Sequence, residues 1–158
     1  MSACLVLQVD AVLAEPLDLV GELLHPLGQK RQRRVPGTAN SARSHLAAAL
    51  WRQVSNVPAV SAGTHPAEAI DPGAIAAARR HSLPLPRLRP RHGSDVRYQG
   101  DLVVTVCDLA HEELTEAAAV HWSIPDPVPA GDPGSFDTAL AQLADRVGRL
   151  APRLAAVS

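Results

Sequence analysis

Residues 37–44 read Gly37-Thr38-Ala39-Asn40-Ser41-Ala42-Arg43-Ser44, small or hydroxylic side chains around one arginine, and they lead straight into a helical pattern. That combination suits an oxyanion. Small residues let successive backbone N–H groups converge, a helix start adds the positive end of its dipole, and Arg43 offers a bidentate fork. The same residues also suit an ordinary helix start capped by Asn40 or Ser41, and both readings stand at this point. Acid–base work would fall to Asp108, His121 or Asp126. Asp126 precedes Pro127 in a Pro-rich loop, where it reads first as a turn residue. His121, beside Trp122 at the end of a strand pattern, reads as a structural histidine that can also face a pocket. His45 follows the loop on the helix and is expected to be exposed. His111-Glu112-Glu113 has no second histidine four residues on, so it reads as a solvated helix face rather than a metal site. Cys4 and Cys107 read as small core hydrophobes. Neither a metal nor a cofactor is expected.

The elements that must position these groups alternate between strand and helix. Residues 4–9 (CLVLQV) predict a strand, and 16–27 a helix with Leu17, Val20, Leu23, Leu24 and Leu27 at helical spacing. A basic linker, 28–34, follows. Residues 41–54 predict a second helix and 58–62 a strand ending at Gly63. Asp71-Pro72 opens another helix, Asp as cap and Pro in the first turn. Residues 101–107 (DLVVTVC) form the clearest buried strand, a β-branched run without a polar face. A short strand at 119–122 and a long amphipathic helix at 135–150 complete the series. The alternation implies an α/β three-layer sandwich on a mostly parallel sheet.

Composition narrows the function classes. The chain has 158 residues, enough for one domain with a sizeable core. Fifteen basic against 16 acidic residues give a net charge of −1, which argues against a dedicated nucleic-acid binder. Aromatic residues make up 3%, too few for a base-stacking platform. Two cysteines exclude a disulfide framework and point to a reduced, cytoplasmic setting. No apolar run approaches the roughly 20 residues of a membrane span, and the N-terminus lacks the basic region of a secretion signal. Charge is nevertheless uneven. Residues 79–97 hold six Arg and one Asp, whereas 101–158 hold nine acidic and three basic residues. The Arg-rich stretch, with Pro84, Pro86 and Pro90, reads as a solvated loop that can also draw an anionic ligand towards a nearby site.

Four ordered segments resemble the low-molecular-weight protein tyrosine phosphatases and the related thioredoxin-coupled arsenate reductases. Thr38, Asn40, Ser41, Arg43 and Ser44 match that family's phosphate-binding loop, C-T-x-N-S-x-R-S. The others are Val60-Ser61-Ala62-Gly63-Thr64, Val103-Val104-Thr105-Val106-Cys107-Asp108 and His121-Trp122-Ser123-Ile124-Pro125-Asp126-Pro127. The likeness spans about residues 35–150. It implies a flavodoxin-like fold with a four-stranded, mostly parallel sheet, and a general-acid role for the position of Asp126. It also implies two segments: residues 1–34, a divergent strand and helix that can complete the sheet, and 35–158, the phosphatase-like domain.

The departures decide what chemistry is expected. The family's nucleophile is the first residue of the loop, which here is Gly37, and glycine offers no thiolate. The reductases relay a disulfide through two further cysteines. Cys107 matches one, but Leu114 stands where the other would be. Before the loop the family places an apolar strand, whereas Arg31-Gln32-Arg33-Arg34-Val35-Pro36 would bury several charges and lose a ladder donor. Residues 4–9 are therefore expected to take that strand's position, the alternative being an appended arm through which two copies pair. Three readings of function follow. The chain binds a small anionic or phosphorylated ligand at Gly37–Ser44 as a pseudoenzyme. Alternatively, Asp126, Asp108 or His121 runs other chemistry on a small molecule, or the pocket is vestigial and the N-terminal arm mediates assembly.

Overall fold

The computed structural model describes residues 3–7 (backbone), 41–85, 89–96, 101–113 and 120–155. Their order is β1 (Ala3–Leu7), α1 (Arg43–Val54), β2 (Ala59–Gly63), α2 (Pro72–Arg80), a 3₁₀ turn (Gly93–Asp95), β3 (Leu102–Thr105), α3 (Asp108–Glu113), β4 (Val120–His121) and α4 (Pro133–Ala155). The four strands form one sheet in the order β2-β1-β3-β4. This is the α/β, flavodoxin-like class implied by the resemblance. The helix at 16–27, the basic linker at 28–34, the charged run at 31–36 and Leu114 lie outside the described residues.

Three strands share a direction, and β1 is the exception. It runs antiparallel to β2, with Ala3 opposite Gly63 and Leu7 opposite Ala59. It is also antiparallel to β3, with Cys4 opposite Thr105 and Leu7 opposite Leu102. β3 and β4 pair in parallel, Val104 with Val120 and Thr105 with His121. A parallel strand in the β1 position would end where β2 and β3 end and could pass directly into a loop there. β1 starts at that end instead and leaves from the other. Residues 8–42 then connect it back to the start of α1.

Side-chain alternation along the strands separates two apolar layers. On one face Ala59, Val104, Val106 and Val120 join α1, α2 and α4 in the main core, around Trp51, Leu46, Phe136, Leu143 and Leu150. On the other face Ala62, Val103 and Val96 form a smaller cluster with Val60. Burying each large side chain of the main core contributes about 1.5–3 kcal/mol. α1 is packed almost all round: Ser44 to Ala49 and Trp51 are buried. His45 is only 5% exposed, which corrects the expectation that it faces solvent. The cause is small neighbours: with Ala47, Ala48 and Ala49 around it, α1 sits close to its surroundings and leaves no open face at that level.

α2 starts as the residue types dictate. The Asp71 carboxylate accepts the Gly73 N–H at 2.7 Å, and Pro72 occupies the first turn. Gly73 is required by packing, because a Cβ there would run into the ring of Phe136. α2 and α4 are further tied at the surface, where Arg80 Nη2 lies 2.6 Å from Asp137 Oδ1. α4 extends beyond the predicted 135–150 at both ends and holds Pro152 in its last turn. No helix among the described residues is long and apolar enough to cross a membrane.

Candidate functional site

Of the oxyanion loop, Ser41, Ala42, Arg43 and Ser44 are described; Gly37, Thr38, Ala39 and Asn40 lie outside the described residues. The N-cap is Ala42, which has no side-chain cap bond, so Ser41 does not fill the capping role. Instead the Ser41 carbonyl accepts the Asp71 N–H at 2.8 Å, joining the start of α1 to that of α2. Ser44 is fully buried and bonds through its hydroxyl to Ser61 Oγ of β2 at 2.9 Å. This contact fixes the first turn of α1 against the sheet.

Arg43 is the first residue of α1, and its side chain is 12% exposed. Nη1 donates to the Ile124 carbonyl at 2.6 Å, and Nη2 lies 3.2 Å from Asp126 Oδ2. The segment following β4 is thereby held at the N-terminal end of α1. Asp126 also acts as a turn residue, its Oδ1 accepting the Val128 N–H at 3.3 Å. Gly131, with φ of +68°, donates its N–H to the Pro127 carbonyl at 3.0 Å and closes the loop. An open cleft of about 370 Å³ flanks Asp126, lined by Pro125, Pro127, Asp132, Ser135 and Thr138 among others.

Asp108 and His121 meet elsewhere. His121 Nε2 lies 3.0 Å from Asp108 Oδ1, and Nδ1 lies 2.8 Å from the hydroxyl of Thr105. A neutral His121 donating Nε2–H to the carboxylate accepts the Thr105 hydroxyl hydrogen at Nδ1. His111 stacks on the His121 ring at 4.3 Å between centroids, so α3 does not present it purely as a solvated face. Burial pushes His121 below the usual histidine pKa, and His111 acts the same way. Asp108 opposes them without reversing the shift. Val104 and Val120 point into the main core, so their register successors Thr105 and His121 lie on the other face. The candidates thus form two groups: Arg43 with Asp126 beside α1, and Asp108 with His121 across the sheet from it.

Cys107 is buried, and its sulfur accepts the Ala110 N–H at 3.4 Å, as suits a small core residue. Among the described residues no group of three or more His, Cys, Asp or Glu is placed to hold a metal ion. Thr105 was not legible as part of a polar cluster. It interrupts a valine run, and only the parallel register with β4 gives it His121 as a partner.

A fold in which a sheet end, a helix start carrying arginine and an aspartate loop converge defines a phosphatase-type α/β domain. The family model for low molecular weight phosphotyrosine protein phosphatase matches residues 35–157, and the chain belongs to that family. Among solved structures it is similar to an arsenate reductase from Archaeoglobus fulgidus, with 26% identity and a TM-score of 0.60 over 73% of this chain and 94% of that one. It is also similar in fold to the tyrosine phosphatase Wzb from Escherichia coli K30, solved in complex with sulphate, at 24% identity and a TM-score of 0.64. That match covers 74% of this chain and 93% of Wzb. A third protein tyrosine phosphatase gives 23% identity and a TM-score of 0.61, covering 75% and 92% of the two chains. No match was found among curated proteins.

Proposed function

We propose that this chain binds a phosphate-type oxyanion at the start of α1 without cysteine-dependent turnover. The observation that carries the reading is Arg43, a largely buried guanidinium at the first position of a helix whose N-cap residue, Ala42, makes no side-chain cap bond. A helix start favours negative charge, and a guanidinium adds charge-assisted donors aligned for an oxyanion. Arginine has five N–H donors, and the Ile124 and Asp126 contacts use two of them. An arriving anion therefore shares Arg43 with Asp126 or displaces it. Gly37 supports the second half of the proposal, because the family's nucleophile position carries no thiol here.

The test is a thermal-shift titration with phosphate, sulfate and arsenate on the native chain and on Arg43→Ala. The quantity compared is the ligand-dependent rise in Tm, since the variant also loses the Ile124 contact and starts lower. A rise of several degrees in the native chain that shrinks by at least half in Arg43→Ala is expected. An equal rise in both would overturn the reading.

Acid–base chemistry at Asp108 and His121 is a second reading, favoured by their 3.0 Å contact. It ranks lower because Thr105 is fully buried and His121 is 9% exposed, which leaves a substrate little beyond Asp108 to touch.

A further inference from the structure

Across the sheet from α1, one histidine of α3 and one of β4 share a single face-to-face contact. The rings of His111 and His121 lie 19° from parallel, with 4.3 Å between centroids. Nδ1 of each lies near the buried Thr105 hydroxyl, at 2.8 Å for His121 and 3.5 Å for His111. The described side chains of α3 offer little else to dock with. The helix is six residues long, Leu109 is 42% exposed, and Ala110 buries only a methyl group. Among the described residues, the carboxylate in contact with the pair is Asp108, 3.0 Å from His121 Nε2 and itself 63% exposed. Glu112, next to His111 in sequence, is exposed. Cys107 Sγ accepts the Ala110 N–H, and β1, on the other side of β3, brings no charged residue and sets Cys4 in register with Thr105.

We propose that the stack of His111 on His121 is an acid-sensitive latch: one proton on the pair leaves α3 docked, and a second forces the rings apart and releases α3 from β3 and β4. The Thr105 hydroxyl has a single hydrogen to donate, and with both rings neutral it goes to His121 Nδ1. A proton arriving there turns Nδ1 into a donor. The hydroxyl then accepts it and turns its own hydrogen to the Val120 carbonyl at 3.4 Å, while Nε2–H still faces Asp108. Each of these polar atoms keeps a partner, so the first proton is taken up without movement. The second has no such provision. No carboxylate among the described residues contacts His111, and the new charge stands 4.3 Å from the first. Two unit charges at that distance separate the protonation steps by about 1–3 pH units, between the dielectric of water and that of a protein surface. Burial of His121, which favours the neutral ring, adds to the cost. α3 yields rather than β4, because β4 is held in the ladder with β3 and the Trp122 N–H is bonded to the Thr105 carbonyl at 2.7 Å.

The experiment is an NMR titration of the full chain from about pH 8 to about pH 4.5, across the ordinary histidine range. Imidazole resonances report the protons, and backbone Cα chemical shifts report the helix. In the native chain the two rings should titrate in two steps about one pH unit or more apart. The Cα shifts of residues 108–112 should move to coil values with the lower step, while those of α4 stay helical. His111→Phe keeps a flat ring on His121 but takes no second proton, so α3 should stay helical throughout. A single shared step, α3 shifts that ignore the lower step, or release in His111→Phe at the same pH as in the native chain would each overturn the proposal. If His111→Phe does not fold, Asp108→Asn serves in its place. Without the countercharge both steps, and the release with them, should move to lower pH. A release that stays at the pH of the native chain overturns the latch.

Discussion

Replacing Asp126 by Asn should make the chain bind phosphate more tightly while making it slightly less stable. Asparagine keeps an Oδ1 acceptor for the Val128 N–H, so the turn survives and only the charge opposite Arg43 is removed. With Arg43 12% and Asp126 33% exposed, their 3.2 Å pair lies at the upper end of the range for solvent-accessible ion pairs, about 1 kcal/mol. That is the expected loss of stability. For an anion bound by Arg43 the same contact is a competitor, so its removal returns about 1 kcal/mol. Repulsion between the bound anion and a carboxylate about 5 Å away adds roughly 1–3 kcal/mol between the dielectric limits of water and a protein surface. The partial exposure of Asp126 favours the lower figure. A gain of about 2 kcal/mol corresponds to roughly thirtyfold tighter binding, shrinking as added salt screens the charges. The assay is calorimetric titration with phosphate at low ionic strength, on the native chain and on Asp126→Asn. Affinity unchanged within about twofold, or weaker, would refute the idea that Asp126 and the anion compete for one guanidinium.

Two further predictions concern the rest of the fold. His121 has its folded pKa depressed by burial, so the folded state binds fewer protons than the unfolded chain just below the ordinary histidine pKa. Its contribution is therefore fully present above about pH 6.5 and is lost as pH falls through the folded value. Denaturant unfolding of the native chain should show stability falling with acid from that point. His121→Gln should show a shallower slope there, and identical slopes would contradict the shift. Gly73→Ala places a methyl group against the buried Phe136 ring, and the overpacking should destabilise the chain by about 1–3 kcal/mol. An unfolding midpoint that does not move would show that Phe136 is free to swing away.

What could be read from the sequence divides along the reach of each interaction. The β3 run, the Asp71-Pro72 helix start and the amphipathic α4 are set by neighbours within a few residues, and all three are where the residue types put them. The direction of β1 was not legible, because apolar alternation looks the same whichever way a strand runs. Burial of His45 was hidden for a related reason. In α1 nearly every residue from Ser44 to Trp51 is buried, so the pattern has no polar face against which an inward side is defined. Arg43 and Asp126 were marked through the family motifs, yet their contact spans 83 positions of sequence and depends on the path after β4. That Asp108 and His121 belong together, and apart from Arg43, follows from a strand register that no local signal encodes. Arg91 stood out as charge, but only the chain's course along β2 brings it near Arg52.

The placement of β1 also governs when the sheet can be completed during synthesis. β1 leaves the ribosome before either neighbour, yet its partners lie 52 to 60 positions later in β2 and 95 to 101 positions later in β3. At about 5–20 residues per second, β3 follows β1 by roughly 5–20 s. During that interval α1, β2 and α2 can collapse together, while one edge of β1 has no strand to meet. The middle of the sheet is thus the part translated earliest and closed among the last, and each ladder it joins is a long-range one that slows folding. A nascent chain stalled before Leu102 would carry β1 with an unpaired edge, the kind of surface a chaperone or a second nascent chain engages.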